Sequence, residues 1–173
     1  ALLAKGRTTL RGIELCRDTR SAIATIERLG AKVEIVDDET LIIEGGLSPQ
    51  TDRLNVGASG LSARLFTPIA ALVSDPITIE GEGTLCHRPM SMMVEPLKEL
   101  GVSVRDGGGR LPIEVCGPMR GGRVTVDGRM SSQFVTGLLI ALPLADRDTT
   151  IEVERAVSTP YIDMTLETLK RFG

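Results

Sequence analysis

The sequence predicts a mixed α/β (α+β) fold made of one supersecondary unit that recurs at a period of about 70 residues. Three amphipathic segments each end in an apolar residue followed by glycine, at Gly30, Gly101 and Gly173. An almost entirely apolar segment precedes the second and the third of them, and strand-like runs lie between the helical segments. Because chance would explain one matching boundary but not three at nearly equal spacing, the pattern indicates an internal repeat.

The three amphipathic segments are predicted to be helices because their apolar residues recur at intervals of three and four positions. They span residues 20–30, 92–101 and 163–173. Glycine after the last apolar position is a helix C-cap signal, and basic residues in the final turn complement the helix dipole. A two-stranded hairpin is predicted after each of the first two helices, at 31–44 and 102–115.

Two further segments, 61–73 and 134–142, have almost no polar face and are predicted to be buried helices. A short strand follows each of them, at 77–80 and 149–153. Residues 1–10 are interpreted as the tail of a corresponding buried helix and the strand after it. The repeat units are therefore approximately 1–46, 54–117 and 120–173. Since the first and third units are incomplete, we expect the whole chain to be a single globular domain of a larger protein.

The composition argues against several classes of function. The 173 residues carry a formal net charge of −3 and 2% of them are aromatic, so a basic field for nucleic acid and stacking platforms for single strands are both lacking. No apolar run approaches the ~20 residues of a membrane span. Cys16, Cys86 and Cys116 have no CxxC spacing and His87 is the only histidine, which argues against a metal site. Reduced thiols indicate a cytoplasmic protein.

The most informative segment is the start of the last apolar helix, where Ser131, Ser132 and Gln133 precede a run of apolar residues. Serine is a favoured N-cap, so the helix is predicted to begin at or near these serines. The first backbone N–H groups of a helix have no intrahelical partner, and the helix dipole adds positive charge there. Hydroxyls, a carboxamide and free N–H groups at one point favour an oxyanion such as phosphate. The alternative is that the serines are only a cap.

Equivalent positions in the repeat carry other polar groups. A glycine turn at 55–62 precedes the second apolar helix, and Gly60 would let the backbone approach a ligand closely. Arg88 is predicted to lie beside the start of the second amphipathic helix, with Pro89 at its first position. A cation is disfavoured there unless an anion is shared. The alternative for the segment 55–62 is an ordinary glycine turn with a serine cap. The alternative for Arg88 is a surface arginine without a ligand.

If the repeats pack around a shared axis, the starts of these helices all lie at one end of the domain. Ser158 caps the third amphipathic helix in the same way, and Tyr161 lies in its first turn. We interpret this end as an anion-binding face that carries Gly60, Arg88, Ser131, Ser132, Gln133, Ser158 and Tyr161. It includes no general acid–base pair, activated nucleophile or metal ligand set, so no catalytic residue is assigned to this chain. The face is predicted to hold a phosphorylated substrate while proton-transfer groups come from elsewhere.

Three motifs on this face resemble those of the 5-enolpyruvylshikimate-3-phosphate synthase family: Ser-Ser-Gln-Phe at 131–134, Arg-Pro-Met at 88–90, and the stretch at 158–166. The resemblance extends over the whole chain. It implies a two-domain enzyme in which each domain has three βαβαββ units around buried parallel helices, and the chain would be most of the N-terminal-side domain. The implied reaction transfers the enolpyruvyl group of phosphoenolpyruvate to the 5-hydroxyl of shikimate 3-phosphate, in aromatic amino acid biosynthesis.

The resemblance also implies roles for individual residues. Ser131, Ser132 and Ser158 would bind shikimate 3-phosphate, and Tyr161 would lie near its ring. Gln133 would contact both ligands. The remaining two, Gly60 and Arg88, would face phosphoenolpyruvate. No metal or organic cofactor is implied, and the protein partner would be the second domain of the same enzyme in a monomer.

Some features depart from the family pattern. The family usually has Asn-x-Gly-Thr in the glycine turn, where this chain has Ala58-Ser59-Gly60-Leu61. The Lys-Ser…Arg motif that precedes the first buried helix is absent, as are the carboxylates, lysine and arginines of the second domain. The related UDP-N-acetylglucosamine enolpyruvyl transferases share the fold, but their reactive-cysteine loop is not found. A non-catalytic module that binds a phosphorylated ligand is the other alternative.

Overall fold

The computed structural model describes residues 1–129 and 132–173. These residues form nine strands: β1 Arg7–Arg11, β2 Lys32–Asp37, β3 Thr40–Glu44, β4 Arg53–Asn55, β5 Ile77–Glu80, β6 Ser103–Asp106, β7 Ile113–Cys116, β8 Arg123–Asp127 and β9 Thr150–Glu154. The α-helices of the described part are α1 Arg17–Arg28, α2 Gly60–Ala70, α3 Val94–Glu99, α4 Ser132–Ala141 and α5 Thr159–Phe172. Short 3₁₀ helices cover Gly83–His87, Ser91–Met93 and Leu142–Leu144. The mixed α/β class predicted from the repeat is confirmed.

The strands form three small sheets, one for each repeat. Strands β1, β3 and β2 make an antiparallel sheet, and β4, β5, β7 and β6 make a mixed one. In the second sheet β4 and β5 are parallel, and in the third β8 and β9 are parallel. A parallel pair needs a crossover connection, which α2 supplies for the second sheet and α4 for the third. The two apolar helices are therefore the crossovers of two βαβ units.

Both predicted hairpins are confirmed. Val33 pairs with Ile43 in the first, and Val104 pairs with Val115 in the second, both antiparallel. The residue patterns did not single out the strands β4 and β8, which precede the apolar helices. Strand β4 has three residues, which is too short for a periodic signal, whereas β8 alternates exposed and buried positions and carried a usable one.

The apolar helices α2 and α4 lie side by side in the core and run parallel. Gln133, in the first turn of α4, accepts a hydrogen bond from Arg64 of α2, and Gly137, one turn on, lies against the backbone of Leu65. A β-carbon at Gly137 would be 2.7 Å from the carbonyl oxygen of Arg64, so glycine permits this close approach. The prediction that these helices are buried is confirmed by the burial of most of their side chains, including the fully buried Phe134.

Two expectations about helix ends are wrong. Residues 1–4 form a turn closed by a 3.1 Å hydrogen bond from the amide of Ala4 to the carbonyl of Ala1, rather than the tail of a helix. A segment this short makes one hydrogen bond, which does not offset helix nucleation. The helix after Arg88 does not begin at Pro89 but at Val94, after a 3₁₀ turn. A start at Pro89 would place Pro96 in the helix interior, where proline removes a backbone hydrogen bond and is costly; a start at Val94 places it in the first turn.

The third amphipathic helix, α5, packs by one side only. Thr165 is its one buried residue among those described, and the side chains of Met164, Leu166 and Phe172 are exposed. Ile162 and Leu169 are half-buried against α4 and the loop after it. No helix in the described part of the chain is both long and apolar enough to cross a bilayer.

Candidate functional site

The glycine turn before α2 is held by hydrogen bonds on both of its sides. The side chain of Asn55 accepts a 2.8 Å bond from the amide of Gly57, and Ser59 Oγ caps α2 by accepting one from the amide of Ser62 at 3.4 Å. The carboxylate of Glu82 accepts from Asn55 at 3.0 Å and from Arg17, at the start of α1, at 3.1 Å. The serine cap expected here is present, and it brings Gly60 to the first position of the helix.

Arg88 lies beside the start of α2 rather than the start of α3, which corrects the position predicted for it. A β-carbon placed at Gly60 would lie 2.9 Å from Nη1 of Arg88 and equally close to Nη1 of Arg64. Arg88 follows the 3₁₀ helix Gly83–His87, and its side chain is exposed. Within the described residues, no carboxylate lies within ion-pair distance of it. Its charge beside a helix N-terminus is therefore uncompensated.

Arg64 is the site residue that the sequence interpretation missed. It is 8% exposed, and its Nη1 donates to the carbonyl of Gly60 at 3.1 Å and to Oε1 of Gln133 at 3.3 Å. Its Nη2 donates to the carbonyl of Pro89 at 3.2 Å. Burial, and then the nearby charge of Arg88, lower the pKa of Arg64. A single charged residue inside the apolar segment 61–73 was the signal that pointed to it.

The start of α4 contributes Ser132 and Gln133, both half-buried, to the same place. Ser132 is the first residue of α4, in agreement with the predicted helix start. Gln133 is joined to α2 by its hydrogen bond from Arg64. The prediction for Ser131 lies outside the described residues.

A cluster of charges braces the strand that leads into α4. Asp127 forms ion pairs with Arg129 at 2.7 Å and with Arg155 at 3.0 Å. The hydrogen bonds from the side chain and backbone of Arg129, followed by the charges of both arginines, lower the pKa of Asp127 to about 2. Arg155 has a positive φ of 51°, an uncommon conformation for a residue other than glycine. These contacts tie the end of β8 to the end of β9.

Ser158 and Tyr161 lie at the start of α5. Ser158 occupies the N-cap position, but its side chain makes no capping hydrogen bond, and Tyr161 is 61% exposed. One turn into the helices, the hydroxyls of Thr136 in α4 and Thr165 in α5 lie 3.1 Å apart. Leu169 lines the same cavities as Leu139 and Ile140, so α5 runs parallel to α4. The start of α5 therefore lies at the same end of the domain, although the described contacts do not join it to Gly60, Arg88 or Gln133.

This arrangement favours an anion. Two arginines lie beside each other at the N-terminus of α2, one of them buried, and the start of α4 adjoins them. Like charges in this position repel each other, and a bound oxyanion would relieve the repulsion. Among residues 1–129 and 132–173, no group of three or more His, Cys, Asp or Glu could hold a metal ion. Cavities of about 600 and 410 Å³ lie at the other ends of α4 and α5, away from Arg64 and Arg88.

Comparison with known proteins agrees with this class of fold. The family described as EPSP synthase (3-phosphoshikimate 1-carboxyvinyltransferase) matches residues 1–173. The chain is 37% identical to the 3-phosphoshikimate 1-carboxyvinyltransferase of Methanocorpusculum labreanum and 39% identical to that of Thermococcus kodakarensis. In both comparisons all of this chain is covered, against 42% and 41% of the relative. A solved structure of EPSP synthase from Acinetobacter baumannii superposes with a TM-score of 0.77 at 24% identity, over 86% of this chain and 35% of that one.

The fold and the site define an α/β repeat domain in which helix N-termini and arginines lie together at one end. With the match over its whole length, the chain belongs to the EPSP synthase family. The likeness to the solved structures supports the fold, which is one domain of the two-domain enolpyruvyl transferase architecture. The chain spans about two fifths of the length of the curated relatives it matches.

Proposed function

We propose that this chain is most of the N-terminal-side globular domain of a 3-phosphoshikimate 1-carboxyvinyltransferase. The reaction transfers the enolpyruvyl group of phosphoenolpyruvate to the 5-hydroxyl of shikimate 3-phosphate and releases phosphate. The observation that carries this proposal is the pair of arginines, Arg64 and Arg88, set beside Gly60 and Gln133 where α2 and α4 begin. Both substrates are phosphorylated, and one also carries a carboxylate next to its reacting carbon.

The two substrates are assigned to different parts of the face. Gly60 and Arg88 would meet phosphoenolpyruvate, since a glycine backbone and an exposed guanidinium are suited to a small, highly charged anion. Ser132 and Ser158 would bind shikimate 3-phosphate, as would Ser131, and Tyr161 would lie near its ring. Gln133, which follows Ser132 and accepts a hydrogen bond from Arg64, would contact both ligands.

The chemistry requires groups that this chain does not supply. The 5-hydroxyl adds to C2 of phosphoenolpyruvate while C3 gains a proton, and the tetrahedral intermediate then loses phosphate from C2 and a proton from C3. Each half needs a positioned acid or base, and such a group contributes roughly 10²–10⁴-fold in rate. We assign no catalytic residue to this chain and place those groups in the second domain. The chain alone should therefore show no measurable enolpyruvyl transfer in a coupled phosphate-release assay.

The domain organisation is part of the proposal. Residues 1–173 would be one globular domain with units at about 1–46, 54–117 and 120–173, and the full-length protein would be a cytoplasmic monomer. The element order supports these units because the second contains β4, α2, β5, α3, β6 and β7, which is a βαβαββ sequence. The first and third units contain parts of the same sequence.

The chain has Ala58 and Leu61 where the family usually has asparagine and threonine, and this difference should affect the binding of phosphoenolpyruvate. A side-chain carboxamide and a hydroxyl are lost at positions 58 and 61, so these two residues can contact that ligand only through their backbone. We expect Arg88 to supply a larger share of its affinity than it would in relatives with Asn-x-Gly-Thr. The binding of shikimate 3-phosphate should be unaffected, because the residues proposed to contact it belong to the segments of α4 and α5.

A titration of the ¹⁵N-labelled chain with shikimate 3-phosphate tests this proposal. A handful of hydrogen bonds to a charged ligand contribute about 1.5–3 kcal/mol each, and the loss of ligand freedom offsets much of this. The affinity should therefore be nearer millimolar than nanomolar. Amide shifts should centre on residues 130–134 and 158–161.

Two variants divide the ligand sites. Ser132→Ala should weaken the titration without unfolding the chain, and Arg88→Ala should leave it nearly intact, because its assigned partner is the other substrate. An equal loss of affinity for shikimate 3-phosphate in both variants would show that Ser132 and Arg88 have been assigned to the wrong ligands. Shifts confined to residues remote from α4 and α5 would contradict the proposed face.

A further inference from the structure

The buried position of Arg64 is unfavourable for a charged side chain. Arg64 is the charged residue among the buried side chains of α2, and its Nε is buried without a hydrogen-bond partner in the described part of the chain. A buried guanidinium is destabilising unless its surroundings compensate for lost hydration, and here its neighbour is another arginine, Arg88. Packing alone would be satisfied better by an unbranched apolar side chain. The position of Arg64 therefore calls for a functional explanation.

The side chain of Arg64 joins three segments of the chain. It donates to the carbonyl of Gly60 in its own helix, to the carbonyl of Pro89 in the segment after β5, and to the carboxamide oxygen of Gln133 in α4. The planar guanidinium holds its donors in a fixed fork, so these three acceptors are fixed relative to each other. Lysine, with one rotatable ammonium group, would not impose the same geometry.

The bond to Gln133 has a further consequence. A carboxamide presents an oxygen acceptor on one side and two N–H donors on the other. Because arginine has donors and no acceptor, Arg64 selects the orientation in which the oxygen of Gln133 faces it. The Nε2 donors of Gln133 are then left for a ligand, which suits an anion. With an apolar residue at position 64, the carboxamide would be free to turn its oxygen toward the anion.

We propose that Arg64 is a positioning residue: it orients the donors of Gln133 toward the substrates and, through the carbonyl of Pro89, fixes the segment that carries Arg88. The inference rests on the proposed function, since it explains how two of the assigned substrate contacts are held. Arg64 acts through these neighbours and is not itself assigned a contact with substrate.

The test uses the full-length gene product, steady-state kinetics with both substrates, and the variants Arg64→Met and Arg64→Lys. We expect Arg64→Met to lower kcat/KM for phosphoenolpyruvate by about 10²-fold, the loss that a misplacement of about 1 Å produces. Its melting temperature should change little, because the loss of three hydrogen bonds is offset by the removal of a buried charge beside Arg88. Arg64→Lys keeps the charge without the fork, so a return to wild-type kcat/KM would overturn the positioning role.

A double-mutant cycle separates positioning from general damage. In a Gln133→Ala background, Arg64→Met should cost less in kcat/KM than the ~10²-fold expected in the wild type, since its route through Gln133 is already lost and only its contact with Pro89 remains. Fully additive losses would overturn the inference. Thr67→Val is the matched control: Thr67 is buried on the same helix, one turn on, where its hydroxyl bonds the carbonyl of Ala63 at 2.6 Å. It should leave kcat/KM unchanged.

The side-chain amide signal of Gln133 gives a readout that does not depend on activity. In the ¹⁵N-glutamine-labelled full-length protein, Arg64→Met should shift and broaden this signal, and Thr67→Val should not. If the wild-type protein lacks enolpyruvyl transfer, the proposed function fails while this measurement still decides on Arg64. If transfer is present and the Gln133 signal is unaltered in Arg64→Met, the positioning role fails while the proposed function stands.

Discussion

The start of α2 and the start of α5 lie at the same end of the domain, yet they are built differently. At α2 the cap serine bonds the helix, Glu82 braces the glycine turn, and Arg64 ties the first turn to α4. At α5 the side chain of the cap serine makes no bond with the helix, although its carbonyl accepts one from the amide of Tyr161, and the Tyr161 side chain projects into solvent. In the region proposed to meet phosphoenolpyruvate, the glycine turn and Arg64 are thus held in place before a ligand arrives, while the side chain of Arg88 is exposed. The region proposed to meet shikimate 3-phosphate has polar groups that are free to adapt.

This difference suggests how the two substrates are treated. A small anion offers few contacts, so its site gains most from groups already held in place. A larger ligand with a ring and several hydroxyls makes enough contacts to order side chains when it binds. Substitutions in the fixed region should therefore affect both geometry and stability, whereas those in the open region should affect binding alone.

The largest expected effect is that of Gly60→Ala. A β-carbon would lie 2.9 Å from Nη1 of both Arg64 and Arg88, so the two guanidinium groups must move. We expect kcat/KM for phosphoenolpyruvate in the full-length protein to fall by about 10²-fold. At Gly46 the nearest atom would be 4.0 Å away, so Gly46→Ala is the matched control and should be harmless. A Gly60→Ala enzyme with normal kinetics would mean that the region is not fixed.

Gly137→Ala tests the contact that keeps α2 and α4 together. The added carbon would meet the backbone of Arg64 and Leu65 at 2.7 to 3.1 Å, and backbone cannot move aside as a side-chain tip can. Overpacking of this kind costs about 1–3 kcal/mol, which urea unfolding would detect as a lower midpoint. Gly107→Ala, whose β-carbon would make ordinary contacts at 3.4 to 3.5 Å, should leave the midpoint unchanged.

The two cap serines give a direct comparison of the regions. Ser59→Ala removes a helix cap and should lower the free energy of unfolding by about 1 kcal/mol. Ser158→Ala removes no cap bond, so stability should change by less than about 0.5 kcal/mol. Its dissociation constant for shikimate 3-phosphate should nevertheless rise about tenfold or more. If Ser158→Ala destabilised the protein as much as Ser59→Ala, the proposed difference between the two helix starts would be wrong.

The smallest expected effect concerns Asp127 and appears only in acid. Its pKa in the folded protein is about 2, below the ordinary value of 3.8, because of Arg129 first and then Arg155. A carboxyl whose pKa is lowered by folding stabilises the protein above its unfolded pKa, and this contribution is lost as the pH falls from 3.8 toward 2. Asp127→Asn should therefore flatten the fall of stability in this window.

The control for this prediction is Asp148→Asn. Asp148 is exposed and forms no ion pair within the residues that the structure describes. Urea midpoints measured from pH 5 down to pH 2 should follow the wild type for this variant. An Asp127→Asn protein with the wild-type slope would show that its arginines do not hold this carboxylate in solution.

The sequence interpretation was most successful where local patterns are strong. The two hairpins and the apolar helices follow from alternation and helical periodicity, and both are present. Strand β4 was missed because three residues carry no period, and the start of α3 was misplaced because Pro89 was considered without Pro96. The site was predicted in part: the structure brings Gly60 and Arg88 together, and Gln133 joins them through Arg64.

By itself the sequence determined the repeat, the apolar helices and the polar residues at their starts, because each depends on neighbours within a few positions. The tertiary structure decided which of these starts meet. Arg88 lies beside α2 and not beside its own helix, and Arg64 links segments that are 25 and 69 residues away in the chain. Such contacts depend on how closely α2 and α4 pack at Gly137, a distance set by the absence of a β-carbon and by the whole core around it.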